Sequence, residues 1–65
     1  MENRIAYLRE YHGISQRCLA MWAGVSHAEM NLIEREKRTP NVYIAMRIAK
    51  ALKQPIEEVF VDDGK

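Results

Sequence analysis

Apolar side chains recur every three to four positions along most of the chain, and this spacing predicts amphipathic helices rather than strands. Glycine, proline and small polar side chains interrupt the pattern at intervals, which predicts short helices with defined ends. Gly13 and Gly24 are natural stops for the first two helices, and Ser15 and Ser26 are natural starts for the next two. We predict five helices, at about residues 3–11, 16–23, 27–35, 42–52 and from 55 onward.

Within these helices the apolar positions define an inner face that would form the core. The predicted inner positions are Ile5, Leu8, Leu19, Ala20, Ala23, Met30, Ile33, Val42, Ala45, Ile48, Ala49, Leu52, Ile56, Val59 and Phe60. Because every predicted element is helical, the predicted fold class is all-α. One segment is open to two interpretations, since residues 58–61 fit an extended strand as well as the end of the last helix.

The start of the third helix carries a specific signal. Ser26 is followed three residues later by Glu29, which is the spacing of a capping box, where hydroxyl and carboxylate satisfy each other's backbone N–H groups. The outer face of this helix is then formed by His27, Ala28, Asn31, Leu32 and Arg35. A surface that recognises a ligand through this helix is expected on that face.

The second and third helices are joined by a very short segment around Gly24 and Val25. This arrangement is typical of a helix-turn-helix motif, in which glycine permits the sharp reversal and the second helix projects from the domain. Such a helix fits the major groove of DNA, which is about 12 Å wide. Pairs of short helices also occur in bundles that bind no ligand, so the spacing alone leaves both interpretations open.

Charge is unevenly distributed, although the net charge is only +1. Residues 1–53 carry nine basic and five acidic side chains, a net charge of +4, whereas four carboxylates follow Lys53. Arg35, Lys37 and Arg38 form a basic cluster in a loop that ends at Pro40. Affinity for duplex DNA comes largely from such side chains. The charge pattern therefore permits DNA binding, but an ordinary solvated surface would have a similar pattern.

Length and composition indicate a single small domain over residues 1–65, with residues 61–65 as a polar C-terminal tail. Cys18 is the only cysteine, so no internal disulfide can form, and no apolar run is long enough to span a membrane. We therefore expect an untargeted cytoplasmic protein. Two separated histidines and no glycine-rich phosphate loop argue against an enzyme, a metal site or a cofactor.

Six short motifs follow one another along the chain: Gly13-Ile14-Ser15-Gln16, Leu19-Ala20, Gly24-Val25-Ser26, Ile33-Glu34-Arg35, Lys37-Arg38-Thr39-Pro40 and the AMRIAKAL segment at 45–52. In this order and at this spacing, they resemble the Cro/C1-type helix-turn-helix family, also called the XRE family. The resemblance covers about residues 3–60. It implies a lambda-repressor-like domain of five helices, with the helix-turn-helix at helices two and three, in a transcription regulator that binds pseudo-palindromic operators as a homodimer.

The resemblance also implies roles for individual side chains. The positions expected to contact the DNA backbone are Gln16, Arg17, Ser26, Arg35, Lys37 and Arg38, and those expected to contact bases are His27, Ala28, Asn31 and Leu32. Two features depart from the family pattern. Ala28 and Leu32 offer only apolar contacts, and a carboxylate at Glu29 would face phosphates, so a structural role for Glu29 is favoured over recognition of cytosine. Glu34 is expected to support the fold by pairing with an arginine or capping a loop amide.

Partners other than DNA are predicted on two further surfaces. The homodimer interface implied by the resemblance comprises Tyr43, Met46, Ile56, Val59, Phe60 and Val61. Met21 and Trp22 lie on the outer side of the second helix, where a protein partner is an alternative to core packing. The sequence thus predicts sequence-specific DNA binding, with repression as the expected outcome. The alternative is an antitoxin-like interaction module in which DNA binding is secondary.

Overall fold

The computed structural model describes residues 2–61. Five helices form the body of the domain: α1 (Ile5–His12), α2 (Gln16–Ala23), α3 (His27–Glu34), α4 (Val42–Ala51) and α5 (Ile56–Val59). Two short strands, β1 (Glu2–Asn3) and β2 (Phe60–Val61), lie at the two ends of the described chain. The predicted number and order of helices are confirmed, and the all-α class describes the helical body.

Local capping signals explain why three of the helices begin where they do. The side chains of Ser15, Ser26 and Asn41 accept hydrogen bonds from backbone N–H groups three residues further on, at 3.0, 3.0 and 2.9 Å. Each bond satisfies an N–H group that has no partner within the helix. Gly13 and Gly24, with φ of 72° and 78°, end α1 and α2 in the left-handed conformation that glycine adopts readily.

The core forms where α2 packs against both α3 and α4. Its buried members are Ile5, Leu8, Leu19, Ala20, Ala23, Met30, Ile33, Ile48, Ala49, Leu52 and Val59. All of these were predicted to face inward. Val42 is an exception among the predicted inner positions, because it is exposed in the first turn of α4. The inner face of that helix is formed by Ala45, Ile48 and Ala49 instead.

The two ends of the described chain meet in a small antiparallel sheet. Glu2 pairs with Val61 and Asn3 pairs with Phe60. The Asn3 side chain also donates a hydrogen bond to the carbonyl of Ile33 at 2.9 Å, which links β1 to the C-terminal part of α3. Asn3 was predicted to begin the first helix, but it lies in a strand. For residues 58–61 the alternative of an extended strand is right at Phe60–Val61. Of the predicted tail, Val61 belongs to β2 and residues 62–65 lie outside the described residues.

A nearly buried ion pair joins α1 to the end of α3. Arg9 Nε donates to Glu34 Oε2 at 2.7 Å and Arg9 Nη2 to Glu34 Oε1 at 3.3 Å. The side chains are 17% and 7% exposed. Arg9 Nη1 also donates to the carbonyl of Ile14 at 3.0 Å, which fixes the turn between α1 and α2. The expectation that Glu34 pairs with an arginine is confirmed, and the pair holds the C-terminal end of α3 against the domain.

Two further properties bear on the classes of function. Between residues 2 and 61, no helix is long and apolar enough to cross a membrane. The same part of the chain contains no group of three or more histidine, cysteine, aspartate or glutamate residues that could hold a metal ion.

Candidate nucleic-acid interface

The turn between α2 and α3 presents the start of α3 to solvent. Gly24 in the left-handed conformation reverses the chain, and the N–H group of Val25 donates to the carbonyl of Ala20 at 3.0 Å. The Val25 side chain is partly buried against the core. Ser26 then caps α3, whose buried residues Met30 and Ile33 fix the helix on the domain. The N-terminal half of α3 therefore has its opposite side available for contact with a ligand.

Five predicted DNA-contacting side chains line one open concave surface: Gln16, His27, Ala28, Asn31 and Leu32. His27 and Ala28 are exposed, and the other three are half-buried. Gln16 comes from the first turn of α2 and the other four from α3, so the turn at Gly24 brings together residues from both helices. The assignment of these residues to bases or phosphates remains a prediction.

A direct hydrogen bond connects the two helices within this surface. His27 Nε2 and Gln16 Oε1 are 2.7 Å apart. In the tautomer that carries its proton on Nε2, His27 donates to Gln16, and its Nδ1 remains an acceptor. The amide nitrogen of Gln16 can still donate two hydrogen bonds. The pair therefore combines a fixed orientation with donors and acceptors suited to a base edge and a phosphate.

Two of the four α3 side chains on this surface, Ala28 and Leu32, are apolar. Asn31 can donate and accept at the same time, so it suits the edge of an adenine. Ala28 and Leu32 can contact only apolar groups, of which the methyl group of thymine is the one in the major groove. Hydrogen-bonded discrimination between bases would therefore depend mainly on His27 and Asn31.

Ser26, Glu29 and Arg38 line a second cleft, between the start of α3 and the loop before α4. The Ser26 hydroxyl accepts from the Glu29 N–H group at 3.0 Å, as the capping box requires. The Glu29 carboxylate, however, accepts from Arg38 Nη1 at 3.0 Å. The prediction that the Glu29 carboxylate accepts a hydrogen bond from the backbone N–H group of Ser26 is therefore wrong. The loop carries a charged donor within reach, and such a donor binds a carboxylate more strongly than a neutral amide does.

The remaining predicted backbone contacts surround these two surfaces. Arg17 lies in the first turn of α2, Arg35 follows the last residue of α3, and Lys37 lies in the loop; all three are exposed. Glu36 adopts a left-handed backbone conformation with φ of 63°, which shapes the loop between Arg35 and Lys37. The structure therefore leaves these cations accessible to a polyanion, and their contacts with DNA remain predictions.

The predicted dimer residues fall into three groups by burial. Tyr43 and Met46 are exposed on α4, whereas Ile56, Phe60 and Val61 are half-buried at the C-terminal end of the fold. Val59 is wrong as an interface residue, because it is completely buried in the core. It is the last residue of the four-residue α5, and its side chain packs inside the domain.

The chain matches a known protein family over most of its length. A family model described as Helix-turn-helix matches residues 5–59, which include all five helices. This chain belongs to that helix-turn-helix family. The resemblance to XRE regulators that the motifs predicted is therefore confirmed.

Two relatives are similar to this chain over nearly their whole length. An HTH-type transcriptional regulator of Methanocaldococcus jannaschii is 36% identical over 61 residues, which cover 94% of this chain and 92% of the relative. An HTH-type transcriptional regulator of Archaeoglobus fulgidus is 32% identical over 65 residues, which cover 100% of this chain and 93% of the relative. This helix-turn-helix chain is accordingly a DNA-binding transcriptional regulator.

A solved structure supports the fold independently. The restriction-modification controller protein C.AhdI from Aeromonas hydrophila superimposes with a TM-score of 0.80 and 30% sequence identity. The match covers 88% of this helix-turn-helix chain and 86% of the controller protein. The five-helix arrangement is therefore shared with a protein of known structure, and the lambda-repressor-like fold class is confirmed.

Proposed function

We propose that this regulator is a repressor that binds a pseudo-palindromic operator as a homodimer, with α3 of each subunit in the major groove. The observation that carries the proposal is the concave surface in which Gln16 and His27 are hydrogen-bonded across the helix-turn-helix. This surface combines base-edge donors and acceptors with a candidate phosphate contact. Binding over a promoter excludes polymerase without a further protein contact, and this simplicity favours repression over activation.

Dimer geometry follows from the length of a DNA turn. Helix-turn-helix dimers place their two recognition helices about one helical turn, roughly 34 Å, apart. In our proposal the exposed α4 residues Tyr43 and Met46 form the centre of the interface, together with the accessible parts of Ile56, Phe60 and Val61. Large side chains such as Tyr and Met are enriched at interfaces between proteins, which supports this choice of surface.

We expect Met46→Arg to convert the dimer to monomers, because two arginines would face each other across a twofold axis. Operator binding should then weaken by at least about tenfold, the factor that corresponds to loss of about 1.4 kcal/mol. Sedimentation velocity and titration of operator DNA would measure the two effects. Met21→Arg is the matched control on α2, and dissociation by this variant in place of Met46→Arg would move the interface to α2.

Contacts with phosphates and with bases should respond differently to substitution. We expect Arg38→Ala to weaken binding to all sequences by a similar factor and to reduce the salt dependence of the affinity by about one ion. His27→Ala or Asn31→Ala should instead alter the preference among sequences, by about 1–3 kcal/mol per lost pair of base contacts. Fluorescence anisotropy with operator and scrambled duplexes at several salt concentrations would separate the two. A change in preference alone for Arg38→Ala would contradict its assignment to the backbone.

The proposal as a whole is tested by selection from random duplex DNA with the purified protein. The selected duplex is then titrated against a scrambled one at near-physiological salt. We expect a palindromic sequence that is bound on the order of a thousandfold more tightly than scrambled DNA. Failure to enrich any sequence would contradict autonomous operator binding.

A second candidate function is supported by Met21 and Trp22, which are 69% and 51% exposed on α2. Exposed large apolar side chains favour a protein contact. In this alternative the chain is an antitoxin-like interaction module, and DNA binding is secondary. The discriminating observation is whether the purified chain alone shifts the DNA of its own promoter, as the repressor proposal requires.

A further inference from the structure

The acidic side chain of Glu29 lies among the candidate DNA contacts. The carboxylate of Glu29 occupies the cleft that Ser26 and Arg38 also line, and both of these neighbours are candidate phosphate contacts. We propose that Glu29 competes with DNA phosphates for Arg38 and so lowers the affinity of the protein for every duplex, whatever its sequence. The inference rests on the proposed function, because it requires α3 to face the DNA.

The Glu29 carboxylate lies in the first turn of α3, where negative charge favours the helix, but it does not cap the helix. The Ser26 hydroxyl caps α3 through the backbone N–H group of Glu29 at 3.0 Å, and this bond does not involve the Glu29 side chain. The only side-chain bond recorded for Glu29 within the described residues is the one from Arg38 Nη1, at 3.0 Å. The carboxylate therefore acts mainly through Arg38.

The ion pair is weak enough for DNA to displace. The side chain of Arg38 is 55% exposed and that of Glu29 is 29% exposed. Exposed pairs of this kind contribute little to stability and are screened by salt. A row of DNA phosphates can replace one carboxylate as the partner of Arg38, since each phosphate contact also releases a condensed counterion.

Displacement nevertheless leaves a cost. Once Arg38 has turned to a phosphate, the Glu29 carboxylate remains unpaired at the protein surface and close to the negatively charged backbone of DNA. Like charges at short range repel, and a partly water-excluded interface strengthens the repulsion. Both the lost ion pair and the repulsion oppose binding, and neither depends on base sequence. The affinity for operator and for scrambled DNA should therefore fall together.

The test compares Glu29→Gln with the unmodified protein on a scrambled duplex, by fluorescence anisotropy over a series of salt concentrations. Glutamine keeps the length of the side chain and removes its charge. We expect the affinity to rise by about two- to fivefold, the factor that corresponds to an exposed ion pair. The slope of log affinity against log salt should stay nearly the same, because Arg38 displaces one condensed counterion in both proteins.

Two controls isolate the ion pair. Glu58→Gln removes a carboxylate that pairs with Arg4 at 3.2 Å, outside the two candidate DNA surfaces, and should change the affinity by less than Glu29→Gln. In a protein that already carries Arg38→Gln, the gain from Glu29→Gln should shrink to the part that repulsion alone contributes, because no ion pair is then lost on binding. Glu29→Asp keeps the charge and should gain less affinity than Glu29→Gln.

Three results would overturn the inference. Weaker binding by Glu29→Gln would mean that the carboxylate holds Arg38 in its binding position. An equal gain with and without Arg38 would mean that no competition for Arg38 occurs. A gain that differs between scrambled duplexes of different base composition would make Glu29 a base contact. Because scrambled DNA is the probe, these results do not depend on an operator, whose absence would contradict only the proposed function.

Discussion

Arg9→Met is expected to lower the free energy of unfolding by about 3–5 kcal/mol, the usual effect of removing one partner from a buried ion pair. The Glu34 side chain is only 7% exposed, so its carboxylate would be left with little water and no cation. Small domains have a total stability of about 5–15 kcal/mol, so the variant would lose much of it. Urea unfolding followed by circular dichroism would measure the change.

Arg4→Met is the matched control, because Arg4 pairs with Glu58 at 3.2 Å but both side chains are about half exposed. It should cost no more than about 1 kcal/mol. A double variant, Arg9→Met with Glu34→Leu, should recover most of the stability lost in Arg9→Met, because no charge then remains buried. An effect of Arg9→Met no larger than that of Arg4→Met would show that the pair is not a major support of the fold.

Local signals made the helices predictable. The glycines at 13 and 24 and the capping residues Ser15, Ser26 and Asn41 act through bonds to near neighbours in the chain. Such bonds depend on only a few consecutive residues, and a single sequence contains all the information they require. The apolar periodicity then identified which side of each helix is buried.

Contacts between distant residues were less predictable. The pairing of Asn3 with Phe60 depends on the two ends of the domain meeting, and strands of two residues have no periodic pattern. The same limitation explains Val59, whose apolar character suits a core and an interface equally well. Its burial depends on where α5 packs, which the spacing of its own four residues does not determine.

The candidate site combines features that local sequence predicts with contacts that depend on distant residues. The positions of His27, Ala28, Asn31 and Leu32 on one side of α3 follow from helical spacing. Their proximity to Gln16 depends on the turn at Gly24 and was not predicted, since the family resemblance implied only that Gln16 contacts the DNA backbone. The partner of Glu29 could not be predicted, because the loop that carries Arg38 has no regular structure from which its path can be derived.

Met30→Ala is expected to destabilise the domain by about 2–5 kcal/mol, the range measured when large buried aliphatic side chains are shortened to alanine. Met30 is 0% exposed and lies on the inner side of α3, opposite the candidate DNA surface. Its loss leaves a cavity beneath the helix that we propose to enter the major groove. The melting temperature should fall by about 4–8 °C for each kcal/mol of stability lost in a domain of this size.

Met21→Ala is the matched control, because it makes the same substitution at a methionine that is 69% exposed on α2. A surface change of this kind should stay within about 0.5 kcal/mol. Operator DNA binds only the folded state in our proposal, so a concentration a hundredfold above Kd should restore about 2.7 kcal/mol to Met30→Ala. Stabilisation by operator but not by scrambled DNA would show that the folded domain binds the operator specifically. Equal losses in the two methionine variants would contradict the placement of Met30 in the core.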